Sequence, residues 1–526
     1  MGRKILFITT DQQRFDSLGC NGGRIARTPV ADTLAAHGIN YQRAHNQNVV
    51  CMPARATMIT GQYVRTHGVV ANGVPLPPDA PSIARHLHDV GGYRTALIGK
   101  AHFEPGFDFQ GRWFENRMAR EGSTGPYRGF DHMELAMHGP IGGWHYSLWL
   151  QQNHPDEIAG FVPLLSARGG GETGAPELAY NPISRDHYHT DWVADRTIAW
   201  LNTLANTDDW FVWMSFPDPH HPWDPPAGEV RKRIKWRELD LPPGHPGSRA
   251  KIEEILRQKP RHWLEWYEGR FRNNEGSAAS FIPCTLTDDQ VREINAMVHV
   301  ENELIDEACG RVLRRIAELG WDQDTDVFFT TDHGELQGDF GLLYKGPYHV
   351  DALMRIPLIW RPAPSAKIAP ARIDEPVGQL DFAPTFCTIA GVPIPQWVQG
   401  EPLPTAAGSG RQRVITEWDS QFAEIGMHLR TIYRDGWICT VYQPTTRDIG
   451  LGLASVYQMF GISAPMPDIN YDGTEGELYN VIEDPLQWRN RWNDPGCRQL
   501  KSDLIADLRD HLPPPRLPPL SVESPV

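Results

Sequence analysis

Four short apolar runs, far apart in the chain, each deliver ionisable residues just past their carboxyl ends. KILFITT ends at Asp11, and YRTALIG ends at Lys100 and, one residue on, His102. WFVWMSF leads through Pro217 to Asp218 and His220, and VFFTT ends at Asp332 and His333. Such runs read as strands covered on both faces, and in open α/β sheets of that kind ligands bind outside the carboxyl ends of the strands. Four deliveries therefore predict one site. Between the runs, Ile294, Val298, Ile305, Ala308, Val312 and Ile316 recur at helical spacing, which predicts a long amphipathic helix feeding the strand at 327–331. The alternation of strands and helices predicts an α/β domain with a largely parallel sheet.

That domain is expected over residues 1–405, with weakly periodic stretches rich in Gly, Pro, Trp and His at about 105–190 and 221–290. These read as insertions that wall the site or mediate subunit contacts. EPLPTAAGSGRQR reads as a linker. After it, VITEWDS, HLRTIYRD and GWICTVYQ predict short antiparallel strands, and a last helix is expected around 498–511, so that 406–512 form a smaller domain. The Pro-rich tail, 513–526, is expected to be disordered or to lie as an arm on a partner.

A formal charge of −15 argues against nucleic acid or an anionic membrane surface as partners, so a small anionic substrate would need a local cationic pocket. The apolar run after MGRK is too short for a signal-peptide core and no window approaches a membrane span, which makes a cytoplasmic location the expectation. Seven scattered cysteines lack metal or disulfide spacing and are expected as reduced thiols, Cys51 being an exception in purpose.

Cys51 stands in VVCMPARATMITGQY. Pro53 suits a first helical turn, so Cys51 falls at or next to the N-cap, where unpaired N–H groups and the helix dipole favour an anion. Asp11, Asp332 and His333 offer two hard carboxylates and an imidazole, a set suited to Ca²⁺, Mn²⁺ or Mg²⁺. Lys100, His102, His220 and Lys345 add cationic or titratable groups, and Asn72 a neutral donor. A sulfate or phosphate ester hydrolase needs that kit of nucleophile, metal, fixed positive charge and acid. A thiol phosphatase would need an arginine six positions after the cysteine, and Thr57 stands there.

Cys-x-Pro-x-Arg followed by Ala-Thr-Met-Ile-Thr-Gly, together with DQQRFDSLG, LIGKAHF, TTDHGE and GELYNVIEDP, resembles the type I sulfatases from about residue 3 to about 490. That group belongs to the alkaline phosphatase superfamily and includes phosphonate monoester hydrolases. The resemblance implies a large alkaline-phosphatase-like domain, with its mostly parallel sheet flanked by helices, and a smaller C-terminal α+β domain with a short antiparallel sheet. It implies that a formylglycine-generating enzyme oxidises Cys51 to formylglycine. One hydroxyl of the hydrate would attack sulfur or phosphorus, and the other would let the covalent hemiacetal ester collapse. Asp11, Asp332 and His333 would bind one divalent cation with the residue 51 oxygen. Arg55 would hold the hydrate, Lys100 and Lys345 would neutralise the substrate oxyanion, and Asn72 would donate to a substrate oxygen. His102 would help expel product or orient the diol, and His220, with Lys345 sharing the role, would protonate the leaving oxygen. Family habit implies a homodimer or homotetramer. Asp11-Gln12 and Asp332-His333 look closer to choline sulfatases and phosphonate monoester hydrolases, leaving Ca²⁺ and Mn²⁺ open, whereas Lys100 and His102 look like the sulfatase version of their loop. The implied activity is hydrolysis of sulfate monoesters, arylsulfatase-like and promiscuous, with phosphonate monoester or phosphodiester hydrolysis as the alternative.

Overall fold

The computed structural model describes residues 2–106, 111–140, 142–166, 169–272, 281–444, 451–459 and 466–524. Parts of both expected insertions, and the last two residues of the tail, lie outside that set. The main sheet has eight strands: β1 (Lys4–Thr10), β2 (Ile39–His45), β3 (Arg94–Gly99), β4 (His132–Leu135), β5 (Trp210–Ser215), β6 (Thr325–Thr331), β7 (Leu358–Arg361) and β8 (Ala371–Gly378). Their order is β4-β3-β5-β1-β6-β7-β2-β8. All pairs are parallel except those of β7 with β6 and β2. The four runs that carry ionisable residues at their ends are thus consecutive neighbours, β3-β5-β1-β6.

Side chains alternate across a strand, and β1 is buried on both faces. Phe7 packs on one face against Trp213, Phe382 and Phe386, with ring centroids 5.1, 5.2 and 5.2 Å away. Leu6 and Ile8 face the other layer, where they share a core with Ile305, Ala308, Val312 and Ile316 of the long helix Asp288–Glu318. A capping box starts that helix: Gln290 N donates to Thr287 Oγ1 at 3.2 Å, and Thr287 N donates to Gln290 Oε1 at 2.9 Å.

The smaller sheet is antiparallel, in the order β12-β11-β10-β9, from β9 (Arg413–Asp419), β10 (His428–Arg434), β11 (Trp437–Gln443) and β12 (Gly476–Asn480). Leu504 and Leu508 of the helix Arg498–His511 cover one face, on Ile415, Ile432, Cys439 and Leu478. The opposite face, with Leu429, Tyr442 and Tyr479, packs into the core that holds Trp263 and Tyr348. The fourth strand, GELYN, is not marked as a strand by its sequence, because three of its five residues are polar or glycine.

Two expectations need correction. The stretch 105–190 is more than an insertion, since β4 within it extends the main sheet alongside β3. The tail lies on its own chain: Arg516 N donates to Arg65 O at 2.7 Å, and Glu523 N donates to Gly73 O at 2.8 Å. Gly73 has φ +80°, and a Cβ there would stand 1.8 Å from Ser524 O, so only glycine lets the tail lie this close. All seven cysteines are unpaired. Among the described residues, no helix is long and apolar enough to cross a membrane.

Candidate active site

In-register pairing of β1 with β6, Thr10 opposite Thr331, brings Asp11 alongside Asp332 and His333. Cys51 is the first residue of the helix Cys51–Thr60, after Val50 as N-cap. Its N-terminal donors are served by side chains: Val50 N donates to Asn48 Oδ1 and Met52 N to Asn72 Oδ1, each at 3.0 Å. Asn72 is therefore held at the helix start through its carbonyl oxygen.

The ligand atoms of Asp11, Cys51, Asp332 and His333 all lie within 4.8 Å of one another, and all four residues are buried. Cys51 Sγ is 3.2 Å from His333 Nε2 and 3.8 Å from Asp11 Oδ1. His333 Nδ1 meets Gly334 O at 2.9 Å, which makes it the N–H donor and leaves the Nε2 lone pair facing the carboxylates. Two carboxylates and one imidazole with this shared focus fit a hard divalent cation. Burial pushes the Asp11 carboxyl up, but Lys100, Arg55 and His138 outweigh it and hold it well below the usual carboxylate range. Burial, with Asp11 nearby, pushes the Cys51 thiol up to about 11, so as a thiol it stays protonated and a weak nucleophile at neutral pH.

Arg55 ties these strand ends together. Nε donates to Asp332 Oδ2 at 2.8 Å, and Nη1 donates to Lys100 O at 2.8 Å and to Ser215 Oγ at 2.9 Å. Nη2 lies 3.5 Å from Asp11 Oδ2 and makes no hydrogen bond among the described residues. It remains available to an oxygen on residue 51.

At the end of β3, Gly99 has φ +107°, and a Cβ would stand 1.7 Å from Ser215 O, so glycine alone allows the turn into Lys100. The Lys100 ammonium pairs with Asp11 Oδ2 and donates to His138 Nε2 at 2.8 Å. His102 is buried at φ +55°, and burial first, then Lys100 and Arg55, hold its imidazole well below the usual pKa and therefore neutral. Gln12, also in the left-handed region at φ +62°, donates its N–H to Asp332 Oδ1 at 3.1 Å. Two non-glycine residues in that region mark a backbone held by its surroundings for a site. Gln12 Oε1 accepts from Lys345 Nζ at 2.7 Å, and Gln12 Nε2 donates to Glu335 Oε2.

Lys345 Nζ also donates to His220 Nε2, while His220 Nδ1 donates to His221 O. Both nitrogens of His220 are thus occupied, and burial followed by Lys345 keeps the ring neutral. The neutral ring accepts at Nε2 from the Lys345 amine. Asp218, from the same strand end, serves the scaffold: its carboxylate accepts from Thr190 Oγ1 and meets His189 Nε2, both at 2.6 Å, and its carbonyl accepts from Asp11 N at 3.1 Å.

All ten residues singled out in the sequence lie around this focus, yet Gln12, Ser215, Glu335 and His138 were missed as members of it. Ser215 ends β5 and His138 lies three residues past β4, so the strand-end rule finds both once those strands are known. Gln12 and Glu335 carry no signal beyond adjacency to Asp11 and His333.

The loop after His102 is anchored by a buried carboxyl pair. Glu115 Oε1 accepts from Phe103 N at 3.0 Å and Tyr127 OH at 2.8 Å, and Glu115 N donates to Glu104 Oε2 at 2.8 Å. Burial, then Glu104, push Glu115 up to about 8 from an ordinary 4.5. The folded state thus holds a proton that the unfolded chain releases above pH ~4.5, so this group's contribution is full below that pH and is lost as pH rises through about 8. Glu115→Gln is expected to remove this slope and to be the more stable protein at pH 8, by on the order of 2–4 kcal/mol. Thermal or urea unfolding of both proteins from pH 5 to 8 checks it; parallel curves would contradict it.

Known proteins resemble this chain in sequence and in fold. The phosphonate monoester hydrolase SpPMH from Silicibacter pomeroyi superposes with a TM-score of 0.73 at 22% sequence identity, over 97% of this chain and 95% of that one, which shows a shared fold. The uncharacterized sulfatase YidJ of Escherichia coli (strain K12) is 27% identical over 399 residues, 75% of this chain and 69% of its own. An arylsulfatase of Clostridium perfringens (strain 13 / Type A) is 25% identical over 412 residues, 76% of this chain and 77% of its own. Residues 3–392 match the family model described as Sulfatase, a span that takes in every strand end converging on Cys51, and the chain belongs to the sulfatase family.

Proposed function

We propose that this protein hydrolyses sulfate monoesters, with an arylsulfatase-like preference and cross-activity on phosphonate monoesters, using formylglycine made from Cys51. The observation that carries this reading is the placement of Cys51 at a helix N-terminus, between the Asp11, Asp332 and His333 ligand atoms and the two ammonium groups of Lys100 and Lys345. A divalent cation, Ca²⁺ or Mn²⁺, held by those three residues and the residue 51 oxygen would polarise the ester and make a bound hydroxyl easier to ionise. Oxidation of Cys51 by a formylglycine-generating enzyme would supply a geminal diol, one hydroxyl for attack and one for release of product.

The chain's own groups do the rest. Arg55 Nη2 donates to an oxygen on residue 51, and Lys100 balances the charge on the non-bridging oxygens. Asn72, whose Oδ1 is taken by Met52 N, has its Nδ2 hydrogens left for a substrate oxygen. Neutral His102 accepts the proton of the remaining hydroxyl as product leaves. Lys345 gives its proton to the departing oxygen while His220 Nε2 holds the ammonium in line, so the acid is the pair with its proton on Lys345.

Mass spectrometry of the peptide containing Cys51 from an active preparation tests the nucleophile. A deficit of about 18 Da relative to the thiol, from exchange of SH₂ for O, is expected, and an intact thiol would sink the reading. Side-by-side kcat/KM on an aryl sulfate and an aryl phosphonate tests the substrate class. The pairs Asp11-Gln12 and Asp332-His333 favour the second reading, and a dominant phosphonate activity would replace the first with it.

A further inference from the structure

We propose that His138 is a substrate-binding residue of this site, its Nδ1–H donating to an oxygen of the transferred sulfuryl or phosphoryl group. The proposal rests on the reading of the site as one that binds a tetrahedral oxyanion ester. His138 follows β4, in a stretch from which the sequence singles out no site residue, and the pairing of β4 with β3 brings it to Lys100.

Its hydrogen-bond state follows from its partners. Nε2 lies 2.8 Å from Lys100 Nζ and 3.8 Å from Asp11 Oδ2. An ammonium has donors only, so the imidazole nitrogen facing it accepts, and Nδ1 then carries the hydrogen. An imidazolium would carry one there as well, so the donor is present in either protonation state. Nδ1 is buried and has no hydrogen-bond partner among the described residues, although the side chain as a whole is 18% exposed. A buried donor without an acceptor is costly, and on a ring whose Nε2 meets Lys100 we take the acceptor to be an oxygen of the substrate.

The neighbouring imidazole sharpens the assignment. His138 stacks on His220 with ring centroids 4.0 Å apart and planes 23° from parallel, and His220 stacks in turn on His221 at 4.2 Å. In His220 both nitrogens are engaged, by His221 O and Lys345. The stacked rings therefore divide the work: His220 serves the acid, and His138 offers a donor to the oxyanion from the side of Lys100. A donor fixed in a water-poor site before the substrate arrives is worth most where charge develops during reaction.

Three substitutions separate this role from support of Lys100. Asn places an amide donor near the position of Nδ1 and cannot reach Lys100. Gln can reach Lys100 from the position of Nε2 and lacks the Nδ1 donor, and Phe keeps the stack with neither. At equal metal content, His138→Phe and His138→Gln are expected to lower kcat/KM on an aryl sulfate by roughly 10²-fold. They are also expected to weaken calorimetrically measured binding of inorganic sulfate and phosphate by about tenfold, whereas His138→Asn stays within about threefold of wild type in both. Rescue by Gln and not by Asn would overturn the proposal in favour of a positioning role, and so would three variants all within threefold of wild type. If the wild type hydrolyses neither ester yet His138→Phe and His138→Gln weaken oxyanion binding while His138→Asn does not, the hydrolase reading falls and His138 stands. If the wild type turns over and His138→Phe binds and reacts normally, His138 falls and the hydrolase reading stands.

Discussion

Cys51→Ser is expected to yield a protein that releases about one equivalent of leaving group per site and then stalls. The serine hydroxyl would stand at the same helix start, with Asn72 still capping Met52 N and Arg55 still spanning Asp332, Lys100 O and Ser215. Attack remains possible in that setting, because the groups that bind the ester are intact. Release is the step that fails, since a simple sulfate ester of serine has no second hydroxyl on the same carbon with which to expel sulfate. Steady-state kcat is expected to fall by 10³-fold or more, about 4 kcal/mol of barrier, while the rapid first turnover persists. Cys51→Ala is expected to abolish the burst as well. A serine variant that keeps multiple turnover within tenfold of wild type would remove the need for the diol.

Lys345→Ala is expected to lower kcat/KM by 10²- to 10⁴-fold, and by more for alkyl than for nitrophenyl sulfates. The geometry behind this is the pinning of Lys345 Nζ between Gln12 Oε1 and His220 Nε2, with His220 kept neutral because it is buried beside Lys345. A nitrophenolate leaves without needing a proton, whereas an alkoxide does, so the loss should grow with the basicity of the leaving group. His220→Ala should follow the same trend with a smaller loss, because the acid survives and only its aim is relaxed. Equal losses on both esters would mean that Lys345 contributes fixed charge alone.

Much of this arrangement was legible beforehand. Continuous apolar runs and helical periodicity are local properties, so the four strands that bear the site, the helix Asp288–Glu318 and the last helix Arg498–His511 were found close to where they lie. Pro53 located a helix start by the stereochemistry of its ring, and the observed helix begins at Cys51. Short elements with mixed composition were not legible: β4 reads HMEL and β12 reads GELYN, and neither alternates or runs apolar long enough to declare itself. The tail was misjudged for a different reason. A Pro-rich segment has no internal hydrogen bonds to reveal its place, and what fixes it is the bare backbone of Gly73 and the carbonyl of Arg65, far away in sequence.

The sequence by itself determined the polarity of the site and which strand ends and helix start converge on it, because a strand's carboxyl end and a helix's amino end are defined by the local chain. It named Asp11, Cys51, Arg55, Lys100, Asp332 and His333 without any knowledge of contacts. Tertiary structure alone decided which groups share a proton or a charge. The order β3-β5-β1-β6 sets Ser215 under Arg55, the addition of β4 beside β3 carries His138 to Lys100, and the left-handed turn at Gln12 hands its side chain to Lys345. Hydrogen-bond partnership acts over about 3 Å and depends on strand order, which no local pattern encodes.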